Sequence, residues 1–99
     1  MDLVLFDLDQ TLIDSSAIEE FRKTGDWESA EKHFSDTSVF YGIRELLENL
    51  SGDHILGVVT SSPRVYAQKL LSFHKIDVPV LAAYHDTKRH KPFADPFKQ

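Results

Sequence analysis

An α/β fold, three layers built on a parallel sheet with flanking helices, is predicted by three observations on this 99-residue chain. Two continuous apolar runs, Leu3 to Phe6 and Ile55 to Val59, each close on a polar residue, the pattern of strands buried on both faces. Between them Ile43, Leu46, Leu47 and Leu50 form one apolar stripe at helical spacing. The order strand, helix, strand, helix, strand then calls for right-handed crossovers.

The first strand runs from Leu3 and ends at Asp7. The stretch that follows, residues 15–41, interrupts the alternation and reads as a small helical insertion. It holds two short helices, Ala17 to Lys23 and Asp26 to Phe34, broken at Thr24-Gly25. The Ile43 helix follows, with Gly52 as its left-handed cap. The second strand covers His54 to Thr60. Ser62-Pro63 supplies an N-cap and a first helical position, and Val65, Tyr66, Lys69, Leu70 and Phe73 carry the helix to His74. A third strand spans Val78 to Tyr84 with Pro79 at its start. No linker divides the chain, so residues 1–99 are expected to form one unit.

Composition narrows the function. A formal net charge of −5 argues against nucleic acid as a partner, because such proteins usually show a basic face. The apolar runs are far shorter than the roughly 20 residues of a membrane-spanning helix, so no membrane partner is expected. Met1-Asp2 leads into the first strand without a cationic leader, which points to the cytoplasm. With no cysteine there is no disulfide, thiolate metal site or thiol nucleophile, and any catalysis must run on oxygen and nitrogen groups.

Chemistry concentrates where the first strand ends. In open parallel sheets ligands bind beyond the carboxyl ends of the strands, and Asp7 and Asp9 stand there two residues apart. In extended chain that spacing turns both carboxylates to one side, close enough to share a cation or to divide nucleophile and acid/base roles. Taken alone, the two acids also suit turn capping, with Thr11 bonding to backbone. Thr60 to Ser62 equally suits capping of the next helix or contact with an anion. Lys91 lies in a basic cluster with Lys88, Arg89 and His90.

Asp7-Leu8-Asp9-Gln10-Thr11 resembles the first motif, D-x-D-x-T/V, of the haloacid dehalogenase-like hydrolase superfamily. Gly57-Val58-Val59-Thr60-Ser61 is similar to its second motif, a strand ending in Thr or Ser, and Lys91-Pro92 to its third, in family order. The resemblance implies a Rossmann-like core whose insertion at 15–41 is a cap. It implies Asp7 as nucleophile, Asp9 as acid and base, Thr60 and Lys91 as further catalytic groups, and phosphate binding around Leu8, Thr11 and Ser61. Magnesium would be the cofactor, held at Asp7 and Asp9, and the substrate a small phosphorylated metabolite. Asp9 itself favours a phosphatase over a dehalogenase, which has no leaving oxygen to protonate.

The sequence departs from the family pattern near its end. Asp95-Pro96 announces a helix, only Phe97 to Gln99 follow, and no G-D-x-x-x-D stretch is present. The resemblance implies a further strand and an acidic metal-binding motif beyond that point. A bare flank on the first strand, a homodimer or strand swap through it, and weak magnesium binding are therefore expected. The rival expectation is a non-catalytic module, or a fragment dependent on a partner chain. Phe21, Trp27, Phe34 and Phe40 in the insertion also suit simple packing.

Overall fold

The computed structural model describes residues 2–83. A parallel sheet of three strands, β1 (Asp2–Asp7), β4 (His54–Thr60) and β5 (Val80–Ala83), runs in the order β1-β4-β5. Between β1 and β4 lie β2 (Ile13–Asp14), α1 (Glu19–Thr24), α2 (Trp27–Lys32), β3 (Ser38–Val39) and α3 (Ile43–Ser51). Helix α4 (Arg64–Phe73) joins β4 to β5. The predicted alternation is therefore present, with β1 paired to β4 from Asp2↔His54 through Asp7↔Val59.

Both crossovers step the same way across the sheet, so right-handed connections put α3 and α4 on one face. That face is the core: Val58 is fully buried, Leu56 nearly so, and Phe6 and Leu81 pack against the same cluster. The other face carries Leu3, Leu5 and Ile55, which are 52%, 48% and 40% exposed. The described residues thus build two of the three expected layers, the sheet and one layer of helices.

On that open face Gly57 is confined. A Cβ there would lie 2.8 Å from Cδ2 of Leu5 and 2.9 Å from Cβ of Val80, its partners on either side. The leucine tip can swing away, but the valine Cβ is fixed to its strand. Glycine lets the two side chains close over the middle of the sheet.

The insertion leaves and returns through a short antiparallel ladder, Ile13↔Val39 and Asp14↔Ser38, which the sequence pattern did not show. A two-residue strand is too short to produce a periodic signal. Inside it the broken-helix expectation holds. Gly25 caps α1 at φ +76, and Asp26 caps α2 by accepting from the Ser29 amide at 3.2 Å. Trp27 packs tilted and Phe34 edge-on against Tyr66 of α4, with ring centroids 5.0 and 5.8 Å away. Phe21 lies 5.1 Å from the His33 ring, so the aromatics of the insertion do pack.

Two local expectations are corrected. Gly52 is right-handed, because α3 closes through a tight turn into β4 in place of a left-handed cap. Ser62 does not cap α4; Pro63 occupies that position in extended conformation, and the serine side chain turns elsewhere. The buried face of α4 is Tyr66, Ala67, Leu70 and Leu71, leaving Val65 and Phe73 outward.

His74, at the end of α4, ties the insertion to the core. Its Nε2 lies 2.7 Å from Oγ1 of Thr37, whose hydroxyl donates to the Phe34 carbonyl, so the imidazole is the donor. Its carbonyl accepts from Arg44 at 2.7 Å. Burial pushes the imidazole below its usual value, and the Arg44 charge adds to this.

Two outcomes follow from this packing. Gly57→Ala should lower stability by about 1–3 kcal/mol in chemical denaturation, since the added methyl overpacks a closed site. Stability should be full above the unfolded histidine value of about 6.5 and fall as pH drops below it, because the unfolded chain then binds the extra proton. Melting curves of His74→Gln, which keeps a side-chain N–H for Thr37, should show that slope flattened.

Candidate active site

Register builds the site. Asp7 is the last residue of β1, opposite Val59, and the next amide, Leu8 N, donates to the Val59 carbonyl at 3.2 Å. The acidic loop and the Thr60-Ser61-Ser62 loop therefore leave the same carboxyl edge of the sheet side by side, where parallel sheets bind ligands. The chain then folds back sharply. The Leu8 carbonyl accepts from both Leu12 N and Ile13 N at 3.1 Å, and Gln10 sits at φ +63, a left-handed conformation unusual for a side chain. The Gln10 side-chain oxygen accepts from the Ser15 amide at 2.8 Å, which fixes the loop to the root of the insertion.

Asp9 is the centre of this arrangement. Its carboxylate accepts from Ser15 Oγ at 2.7 Å, Tyr66 Oη at 3.0 Å and Ser62 Oγ at 3.4 Å. Arg22 Nη2, from the last turn of α1, lies 3.2 Å from its other flank, and the Asp9 side chain is 9% exposed. Burial, reinforced by the Asp9 charge, raises the Tyr66 hydroxyl well above its usual value, so the phenol keeps its proton and donates. A buried carboxylate must be paired and hydrogen-bonded, and here four separate segments supply the donors. Among the described residues the counter-charge to Asp9 is thus the Arg22 side chain.

Asp7 is exposed, and one of its oxygens accepts from the Leu8 amide at 3.1 Å. Leu8 itself is fully buried, and its amide also serves the sheet. In the structure that N–H meets the Val59 carbonyl and the Asp7 carboxylate. Thr60 is buried, and its Oγ1 accepts from the Ser62 amide at 3.1 Å, so its own proton can be directed at an anion. Ser61 and Thr11 stand exposed at the same edge. Lys91 lies outside the described residues.

Among the described residues no group of three or more His, Cys, Asp or Glu is arranged to hold a metal ion. The oxygen donors at hand are of the right kind. Magnesium commonly takes one or two carboxylates and fills its remaining positions with water and substrate phosphate. The Asp7 carboxylate and the Asp9 main-chain carbonyl are the groups that would meet it.

Ser15, Arg22 and Tyr66 were not among the residues expected from sequence. Arg22 sits in a run of mixed charge, Glu19-Glu20-Phe21-Arg22-Lys23, where an exposed helix surface is the ordinary interpretation. Lys23 does behave so, pairing with Glu19 at 3.1 Å on the surface. Only the return of the insertion over the strand edge separates the two cations.

No helix among the described residues is long and apolar enough to cross a membrane. No curated protein and no solved structure gives a significant match to the chain. A family model described as haloacid dehalogenase-like hydrolase matches residues 17–99, which takes in the Thr60 strand and the Lys91 segment and begins after the Asp7-Leu8-Asp9 loop. With more than four-fifths of its length matched, the strand-end acids in register beside Thr60, and a parallel sheet of the corresponding class, the chain belongs to the haloacid dehalogenase-like hydrolase family.

Proposed function

We propose that this protein is a phosphatase acting on small phosphate esters through an aspartyl-phosphate at Asp7. The observation that carries this is the shared edge: Asp7 and Asp9 on one loop, Thr60 and Ser61 on the next, joined by the Asp9–Ser62 hydrogen bond. A Ser or Thr hydroxyl beside two strand-end acids suits an anion whose transfer requires a nucleophile and a proton carrier.

In the first half-reaction an oxygen of Asp7 bonds to phosphorus. The bond from phosphorus to the leaving oxygen breaks, its electron pair stays on that oxygen, and the Asp9 carboxyl group delivers the proton. In the second, water attacks the phosphorus, Asp9 takes the water proton, and Asp7 departs with the electron pair of the acyl-phosphate bond. Every partner of Asp9 among the described residues donates to it, an arrangement suited to the proton-accepting half. Thr60 Oγ1 and the exposed Ser61 and Thr11 would hold phosphoryl oxygens, and Lys91 would offset charge on the nucleophile and the phosphate. A bound magnesium ion would neutralise part of the phosphate charge, contacting the Asp7 carboxylate and the Asp9 carbonyl.

Beryllofluoride with magnesium mimics an acyl-phosphate and should stabilise the protein saturably, by about 2.7 kcal/mol at a hundred times its dissociation constant. Asp7→Asn should abolish both that stabilisation and turnover of a chromogenic phosphate ester. Stabilisation that persists in Asp7→Asn would remove Asp7 as the nucleophile. Asp9→Asn should slow turnover roughly 10²–10⁴-fold, the usual contribution of a positioned acid/base group.

A further inference from the structure

Arg22 carries an unfinished interaction. Its side chain is 19% exposed and Nη2 reaches Asp9 at 3.2 Å, yet Nε is buried and has no hydrogen-bond partner among the described residues. An orphaned donor on a charged group is costly, because it has given up water without replacement. Nε and Nη2 lie on one edge of the guanidinium, the fork that normally takes two oxygens of one anion. Asp9 fills only half of it. One Asp9 oxygen meets Nη2, while the other is occupied by Ser15 and Tyr66. The empty half of the fork therefore lies on the edge of the guanidinium that meets Asp9.

We propose that Arg22 is a substrate-binding residue: Nη2 stays on Asp9, and Nε takes an anionic oxygen of the bound phosphate ester. This rests on the phosphatase reading above and deepens it, since it gives the insertion a direct contact with substrate. Arg22 would then orient Asp9 and the ester against each other from α1. A lysine at this position could keep one charge on Asp9 but, as a single ammonium, could not supply the planar second donor. The anionic oxygen has two sources, the transferred phosphoryl group or an acid group carried by the leaving part, and two unreactive probes separate them.

The test titrates the full chain, without magnesium, with methylphosphonate and with phosphonoacetate, which adds a carboxylate. Binding is followed by calorimetry and folding by thermal melts. Arg22→Lys should fold and lose affinity about tenfold, the scale of one charge-assisted hydrogen bond. Loss for both probes places the phosphoryl group on Nε; loss for phosphonoacetate alone places the leaving-group acid there. Because Arg22 also ties α1 to the core, Asp9→Asn is measured alongside, leaving the arginine in place and removing the negative charge beside the bound anion. It should bind the probes several-fold more tightly.

Equal affinity for both probes in the wild-type, Arg22→Lys and Asp9→Asn proteins would overturn the inference. If beryllofluoride stabilisation survives in that case, the phosphatase reading stands and Arg22 alone is wrongly placed. Absence of both phosphonate binding and beryllofluoride stabilisation in the wild-type protein overturns the two together.

Discussion

The structure turns on one buried negative charge. Asp9 lies beyond the carboxyl end of β1 with its carboxylate withdrawn from water, and such a group is tolerated only where donors replace its hydration. The four donors come from four separate segments: Ser15 at the root of the insertion, Arg22 on α1, Ser62 after β4, and Tyr66 on α4. Satisfying Asp9 therefore requires the insertion, both strand ends and the second crossover helix to be in place at once. A polar network of this kind stabilises little by itself but penalises every arrangement that leaves a member unpaired.

Apolar packing surrounds that network and works in the same direction. Trp27 and Phe34 rest on the ring of Tyr66, so the contact that buries the insertion also sets the phenol on Asp9. His74 and Thr37 repeat the pattern at the far end of α4, where a neutral imidazole joins the two halves. The insertion is fastened to the core by aromatic area and at both ends by hydrogen bonds. Its two short helices, six residues each, would be marginal without that support.

The parts legible in sequence were those whose physics is local. Leu3 to Phe6 and Ile55 to Val59 read as strands because their apolar runs are continuous, and Thr24-Gly25-Asp26 read as a helix break because glycine and an N-cap acid do that anywhere. The acid pair at the end of β1 was legible for the same reason: strand ends of a parallel sheet face a crevice. Ser62 misled because capping is its local preference, and a distant carboxylate outbid the helix for it.

Sequence by itself determined the alternation of strands and helices, the positions of Asp7, Asp9 and Thr60 at strand ends, and the family to which their spacing points. These depend on periods and spacings of a few residues, which the chain carries wherever it folds. Tertiary structure alone decided that Arg22, and not its neighbour Lys23, meets Asp9, that Ser15 and Tyr66 complete its shell, and that the Leu8 amide is already committed to the sheet. Those outcomes hang on contacts between residues up to 57 positions apart, whose energies exist only after the insertion has closed over the strand edge.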